Sequence, residues 1–205
     1  MDYLSTRRVP QLLIGLFLYG VALALMVQAG LGVSPWDVLS QGASRRSEIP
    51  FGWMTNLVGA AVLLLWIPLR QKPGVGTLLN VALVGPSADF SLAIIPPQTQ
   101  LWAQVLVFIA GLLLLAVATG LYIGARMGPG PRDGLMTGIH RRYGWPLWAV
   151  RASIEGAVLA VGWVLGGSVG VGTVAFAVFI GPLVGTTIPL LRIPGRQPAN
   201  LVHES

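Results

Sequence analysis

GLGVSPWD, Gly30 to Asp37, breaks an apolar run with a serine, a proline, a tryptophan and an acid side by side. Ser34 suits an N-cap, Pro35 the first helical position, and Asp37 stands three residues after Ser34 to bond back. SPWD therefore reads as a capping box that starts a helix. Ninety-six residues later RMGPGPRD, Arg126 to Asp133, repeats Gly32, Pro35 and Asp37 as Gly128, Pro131 and Asp133, with Gly130 in place of the serine.

The same register holds without a gap along the chain. Gly42, Arg45, Arg46 and Pro50 match Gly138, Arg141, Arg142 and Pro146; Gly74, Val75, Gly76 and Thr77 match Gly170, Val171, Gly172 and Thr173; Gly85 and Pro86 match Gly181 and Pro182. Coincident Leu, Ala and Val carry little weight in apolar helices, but coincident Gly, Pro, Asp and Arg pairs do. The sequence reads as a duplication, residues 1–97 and 98–205.

Composition sets the solvent. Of the residues, 54% are hydrophobic and 10% charged, and the mean hydropathy is +0.74, beyond the range of water-soluble domains. The net charge of +6 does not imply nucleic acid, because the basic residues are scattered between apolar runs instead of forming a stripe. With no cysteine and only His140 and His203 as histidines, thiolate chemistry is excluded, and neither a metal site nor a cofactor is expected. Carboxylates alone are left for chemistry, and the chain is not expected to be an enzyme.

An apolar helix needs about 20 residues to cross a bilayer. Six stretches qualify: 11–29, 51–69, 76–95, 102–124, 147–166 and 171–191. The first, behind Arg7 and Arg8, is too long for a signal-peptide core and reads as a retained span. With a cytoplasmic N-terminus, Arg7, Arg8, Arg70, Lys72, Arg126, Arg132, Arg141, Arg142, Arg192 and Arg196 all fall inside, and only Arg45 and Arg46 outside. Both termini are thus expected in the cytoplasm, the membrane being the inner membrane of a bacterium. Three spans per copy, an odd number, require the second copy to enter from the opposite side. The expected fold is all-α, six transmembrane helices in two inverted three-helix repeats, and Arg45 and Arg46 are the outward copies of an inward pair.

Each copy carries a short helix after its first span, residues 34–44 and 130–140. It is either a re-entrant half-helix that gates or supports a central site through Ser34, Pro35, Asp37, Pro131, Arg132 and Asp133, or an interfacial helix with Trp36 at headgroup depth. For Asp37 and Asp133 capping is the leading role. Gly85-Pro86 and Gly181-Pro182 fall near mid-membrane and predict matched kinks. The GVGT pair lacks the lysine of a phosphate loop and reads as a helix start capped by threonine. Asp89, Arg151 and Glu155 are ionisable groups within spans, Arg151 and Glu155 spaced to pair, and Glu155 is a possible proton site. With Asn80 and the Gly-Pro pairs, they form the expected substrate site; Asn56 and Asn80 are alternatively interhelical glue.

The stretches GLGVSPWDVLSQG, GVGTLLNVALVGPSADF, GPGPRDGLMTGIHRR, RASIEGAVLAVGWVLGGSVGVGT and FIGPLVG together resemble the bacterial YczE/YitT-type integral membrane protein family over roughly residues 10–190. The resemblance implies a multipass inner-membrane protein of prokaryotes and carries over no catalytic residue. The residues themselves favour a small-molecule transporter or permease-like protein, in contact with the lipid bilayer and compatible with a homo-oligomer. The rival is a non-transporting accessory or assembly protein, and it predicts a solid core where a carrier needs a polar cavity at mid-depth.

Overall fold

The computed structural model describes residues 3–193; Arg196, His203 and the expected cytoplasmic tail lie outside the described residues. Eight helices and no strand occur among the described residues: α1 (Tyr3–Ala29), α2 (Pro35–Ser47), α3 (Phe51–Trp66), α4 (Val75–Ile94), α5 (Leu101–Gly124), α6 (Pro131–Tyr143), α7 (Leu147–Val164) and α8 (Val171–Leu191). Pro35, Phe51 and Val75 open α2, α3 and α4; Pro131, Leu147 and Val171, each 96 residues further on, open α6, α7 and α8.

Five helices, α1, α4, α5, α7 and α8, are long and apolar enough to cross a membrane. The second expected span is different: α3 has 16 residues, about 24 Å of helix, and joins α2 across a bend of 117°. The pair is one broken segment, or a sixth span with a re-entrant arm. The two short helices run to 13 residues each.

The helices form two layers. In one, α1 packs against α4 and α5, and α5 against α8, around a core of Leu16, Leu23, Met26, Leu112 and Leu115. In the other, α2 lies on α7 and α6 on α3, around Trp36, Val62, Trp66 and Met136. Lipid is as apolar as these side chains, so close fit rather than water exclusion holds such layers together.

The matched glycines mark where the halves cross. Gly32 and Gly128 have φ of +103° and +132°, a region side chains rarely adopt. Each lies against the GVGT turn of the other half, where the Gly76 N–H donates to Met127 O at 2.8 Å and the Gly172 N–H to Leu31 O at 2.8 Å. In each turn the threonine hydroxyl accepts the N–H of Gly74 or Gly170, at 3.2 and 3.3 Å. The GVGT pair is thus the capped helix start that its sequence predicts, and also a clasp between halves.

α4 and α8 each continue as one helix through Pro86 and Pro182. Pro86 has no N–H, which frees the carbonyl of Ala82. The Asn56 amide closes that gap: Nδ2 donates to Ala82 O at 3.3 Å and Oδ1 accepts the Gly85 N–H at 3.0 Å. The Gly52 and Gly85 backbones touch beside it, and Asp89 accepts the N–H groups of Gly52 at 2.6 Å and Trp53 at 3.2 Å. α3 and α4 are sealed by these contacts. At the matching positions of α7 and α8 stand Trp148, Ala152, Gly181 and Gly185, and those two helices scarcely touch.

Candidate functional site

The N-termini of α2 and α6 turn inward. Ser34, Pro35, Trp36, Asp37 and Val38 are buried, so Trp36 packs inside the protein; only the far end, with Arg45 and Arg46, is exposed. The helix is capped by Ser34, and Asp37 is the residue whose N–H donates to the Ser34 Oγ, at 3.3 Å. Its carboxylate, however, accepts the Ser34 hydroxyl on one oxygen and pairs with Arg132 at 3.3 Å on the other. Arg132 also stands 5.3 Å over the Trp36 ring, a cation–π distance. The arginine counted with the cytoplasmic loop charges is therefore an internal group that ties α6 to α2.

Asp133, the repeat partner of Asp37, is held differently. Gly130 has no hydroxyl to offer, and the Asp133 carboxylate accepts one bond, from the Tyr122 hydroxyl at 3.2 Å. Tyr122 is buried and meets Tyr19 edge to face at 6.0 Å. Asp133 itself is exposed, and what it is exposed to is a cavity.

That cavity, about 270 Å³, lies between the two layers, just below the usual 300–1,000 Å³ of ligand pockets. Tyr19, Arg132, Asp133, Asn80, Arg151 and Glu155 supply polar atoms to its wall, and Val84, Leu115, Phe176 and Ile180 apolar surface. Arg151 Nε donates to Glu155 Oε1 at 2.9 Å, one turn along α7. Gly181 lines the cavity from α8 and is exposed, with open space where a side chain would begin. The cavity thus reaches the gap between α7 and α8, while α3 and α4 shut the corresponding side.

Of the residues expected to bind substrate, Asn80, Arg151, Glu155 and Gly181 meet at this wall together with Ser34, Pro35, Pro131, Arg132 and Asp133. Gly85, Pro86, Asp89 and Pro182 do not line it. Gly85 is spent on the α3–α4 contact, Pro86 and Pro182 face outward, and Asp89 caps the first turn of α3. Arg45 also acts as a cap, donating to Gly166 O beyond the end of α7 and to Ser168 Oγ at 3.1 Å. Sequence reasoning missed Tyr19 and Tyr122. A tyrosine within an apolar helix is itself a signal, because its hydroxyl needs a partner there.

A family model described as a family of unknown function (DUF6198) matches residues 6–189. An uncharacterised protein of Haemophilus influenzae is 41% identical over 92% of this chain and 87% of its own. The uncharacterised membrane protein YczE of Bacillus subtilis is 32% identical over 83% and 80%, and YyaS of the same organism is 24% identical over 87% and 91%. No solved structure matches. The chain belongs to the DUF6198 family and, with its apolar helices and its YczE relative, is a multi-helix membrane protein.

Proposed function

We propose that this member of the family is a small-molecule carrier of the bacterial inner membrane, and not an enzyme, built from two inverted-topology halves, residues 1–97 and 98–205, around the central cavity. The observation that carries this reading is a void of about 270 Å³ where the N-termini of α2 and α6 converge, walled by charged and hydroxyl groups. An accessory protein held together by packing has no need of a polar void among apolar helices, where unpaired polar groups are costly.

Two further features support the inverted arrangement. The clasps and the α2–α7 and α6–α3 contacts exchange partners between halves, as copies related by an in-plane axis would. Exposed Trp53, Trp102 and Trp163 stand where the expected topology has its outer boundary, and exposed Tyr143, Trp145 and Trp148 where it has its inner one, the pattern of aromatic belts. Both termini are then cytoplasmic. The seal between α3 and α4 and the gap between α7 and α8 make this an unequal state of two like halves, and exchanging that inequality gives alternate access. No cofactor or nucleic acid enters the scheme; the partners are the bilayer and one small solute.

The test is reconstitution into liposomes with a labelled metabolite panel, comparing wild type with Glu155→Gln. At least one solute is expected to enter faster with protein than without, and more slowly with the variant. A folded wild-type protein that accelerates none of them sinks the carrier reading.

A further inference from the structure

We infer that the cavity selects a small organic ammonium cation, with the Asp133 carboxylate as the group that holds it. The inference rests on the carrier reading for the solute's passage, but the cation site stands on the cavity's own charges. Two carboxylates, Asp133 and Glu155, and two guanidiniums, Arg132 and Arg151, line the cavity, and a third carboxylate, Asp37, lies behind the wall. Asp37 is matched with Arg132 at 3.3 Å and Glu155 with Arg151 at 2.9 Å. Asp133 has no ion pair within 4 Å among the described residues; Arg151 and Arg132 act on it from further away, and it keeps one hydroxyl contact from Tyr122 at 3.2 Å and an exposed face on the void.

An unmatched carboxylate at such a depth is costly and draws a counter-charge. A helix N-terminus favours anions, yet α2 and α6 each already carry an acid in the first turn, Asp37 and Asp133. An anionic solute would therefore meet the Asp133 carboxylate at the α6 start, while the α2 start already has Asp37 seated behind the wall. Tyr19 and Phe176, both of which line the void, are aromatic residues that suit a cation carrying methyl surface.

The difference between the halves is one residue. Ser34 occupies the Asp37 carboxylate through its hydroxyl; Gly130 cannot do so for Asp133. A serine at Gly130 would also displace Tyr122, because the added side-chain carbon would stand 2.7 Å from its hydroxyl.

The test compares solutes of one shape and different charge on the purified, detergent-solubilised chain. Choline and ethanolamine are the cations, neohexyl alcohol the uncharged isostere of choline, and tert-butylacetate its anionic counterpart; ligand-induced shifts in melting temperature at millimolar concentration are the readout. At least one cation is expected to stabilise wild type while the alcohol and the anion do not, and Asp133→Asn to weaken that binding on the order of 30-fold or more. Asp133→Glu should retain the preference for positive charge.

Equal stabilisation by the alcohol, preference for the anion, or no shift with either cation overturns the inference, and none of these needs a variant that folds. Unchanged cation binding in Asp133→Asn moves the site elsewhere and overturns it as well. Should choline bind but fail to enter liposomes holding the same protein, the carrier reading falls and the cation site remains.

Discussion

Replacing Asp37 with Asn probes the ion pair that ties the two inward helix starts together. At 3.3 Å and an effective dielectric of about 20, opposite unit charges attract by about 5 kcal/mol. Desolvation cancels part of this, since the Asp37 side chain is 2% exposed and that of Arg132 22%. What a single substitution removes is the match and not the burial, so Asp37→Asn leaves Arg132 inside the protein without its counter-ion. The expected loss is about 3 kcal/mol, with a contribution from the Ser34 hydroxyl, which then faces an amide instead of a carboxylate. Arg132→Gln strands Asp37 in the same way and also removes the cation over the Trp36 ring. The double substitution leaves no charge unmatched, and its loss should fall short of the sum of the singles by about 2 kcal/mol. The measurement is unfolding free energy in mixed micelles for the four proteins of the cycle. Additivity within about 0.5 kcal/mol would mean that the two groups do not meet, and the convergence of α2 and α6 would be wrong.

Asn56→Ala removes the amide that serves both Ala82 O and the Gly85 N–H; a loss of about 1–3 kcal/mol is expected, read as a lower melting temperature in detergent. Asp89→Asn weakens the cap on α3 by about 1 kcal/mol, and transport in liposomes should keep its rate, unlike in Glu155→Gln; equal loss in both would return Asp89 to the site. Gly134→Ala drives a methyl into the Trp66 ring and is expected to cost about 1–3 kcal/mol, with much of that recovered in the double variant that also carries Trp66→Leu. Single cysteines at Ser47 and Tyr143, matched and exposed positions in a chain without native cysteine, should react with an impermeant maleimide from opposite sides of the membrane. Reaction from one side at both positions would rule out inverted halves.

The sequence was most readable where the backbone constrains it. Gly32 and Gly128 sit at positive φ, and the GVGT turns need close approach, so few substitutions fit and the 96-residue register survives at these points. Facing was not readable. Lipid and core are equally apolar, so a spanning helix shows no stripe that tells its buried side from its exposed one. Asp89 and Glu155 look alike as isolated acids in apolar helices, yet one caps α3 and the other lines the void. Arg132 sits among loop charges in the sequence and at the centre of the protein in space. Tyr122 and Asp133 meet only because α5 brings its last turns back beside the start of α6, and no spacing rule anticipates that.

The two proposed halves open α2 and α6 alike, at Pro35 and Pro131, and single residues set them apart. Ser34 keeps Asp37 structural, where it is capped and paired with Arg132. At the equivalent place Gly130 leaves Asp133 with only a tyrosine hydroxyl. The same division runs through the neighbouring helices: Asn56 and Asp89 close α3 on α4, and their counterparts Ala152 and Gly185 have no polar side chain to close α7 on α8. Closing α7 on α8 would therefore have to use different chemistry from the α3–α4 seal. The side chains that extend from α7 toward the void are Arg151 and Glu155, matched in the first half by Thr55 and Gly59. An ion pair that could exchange partners with a bound cation and Asp133 is the kind of element such a closure needs, because its strength depends on whether the cavity is filled.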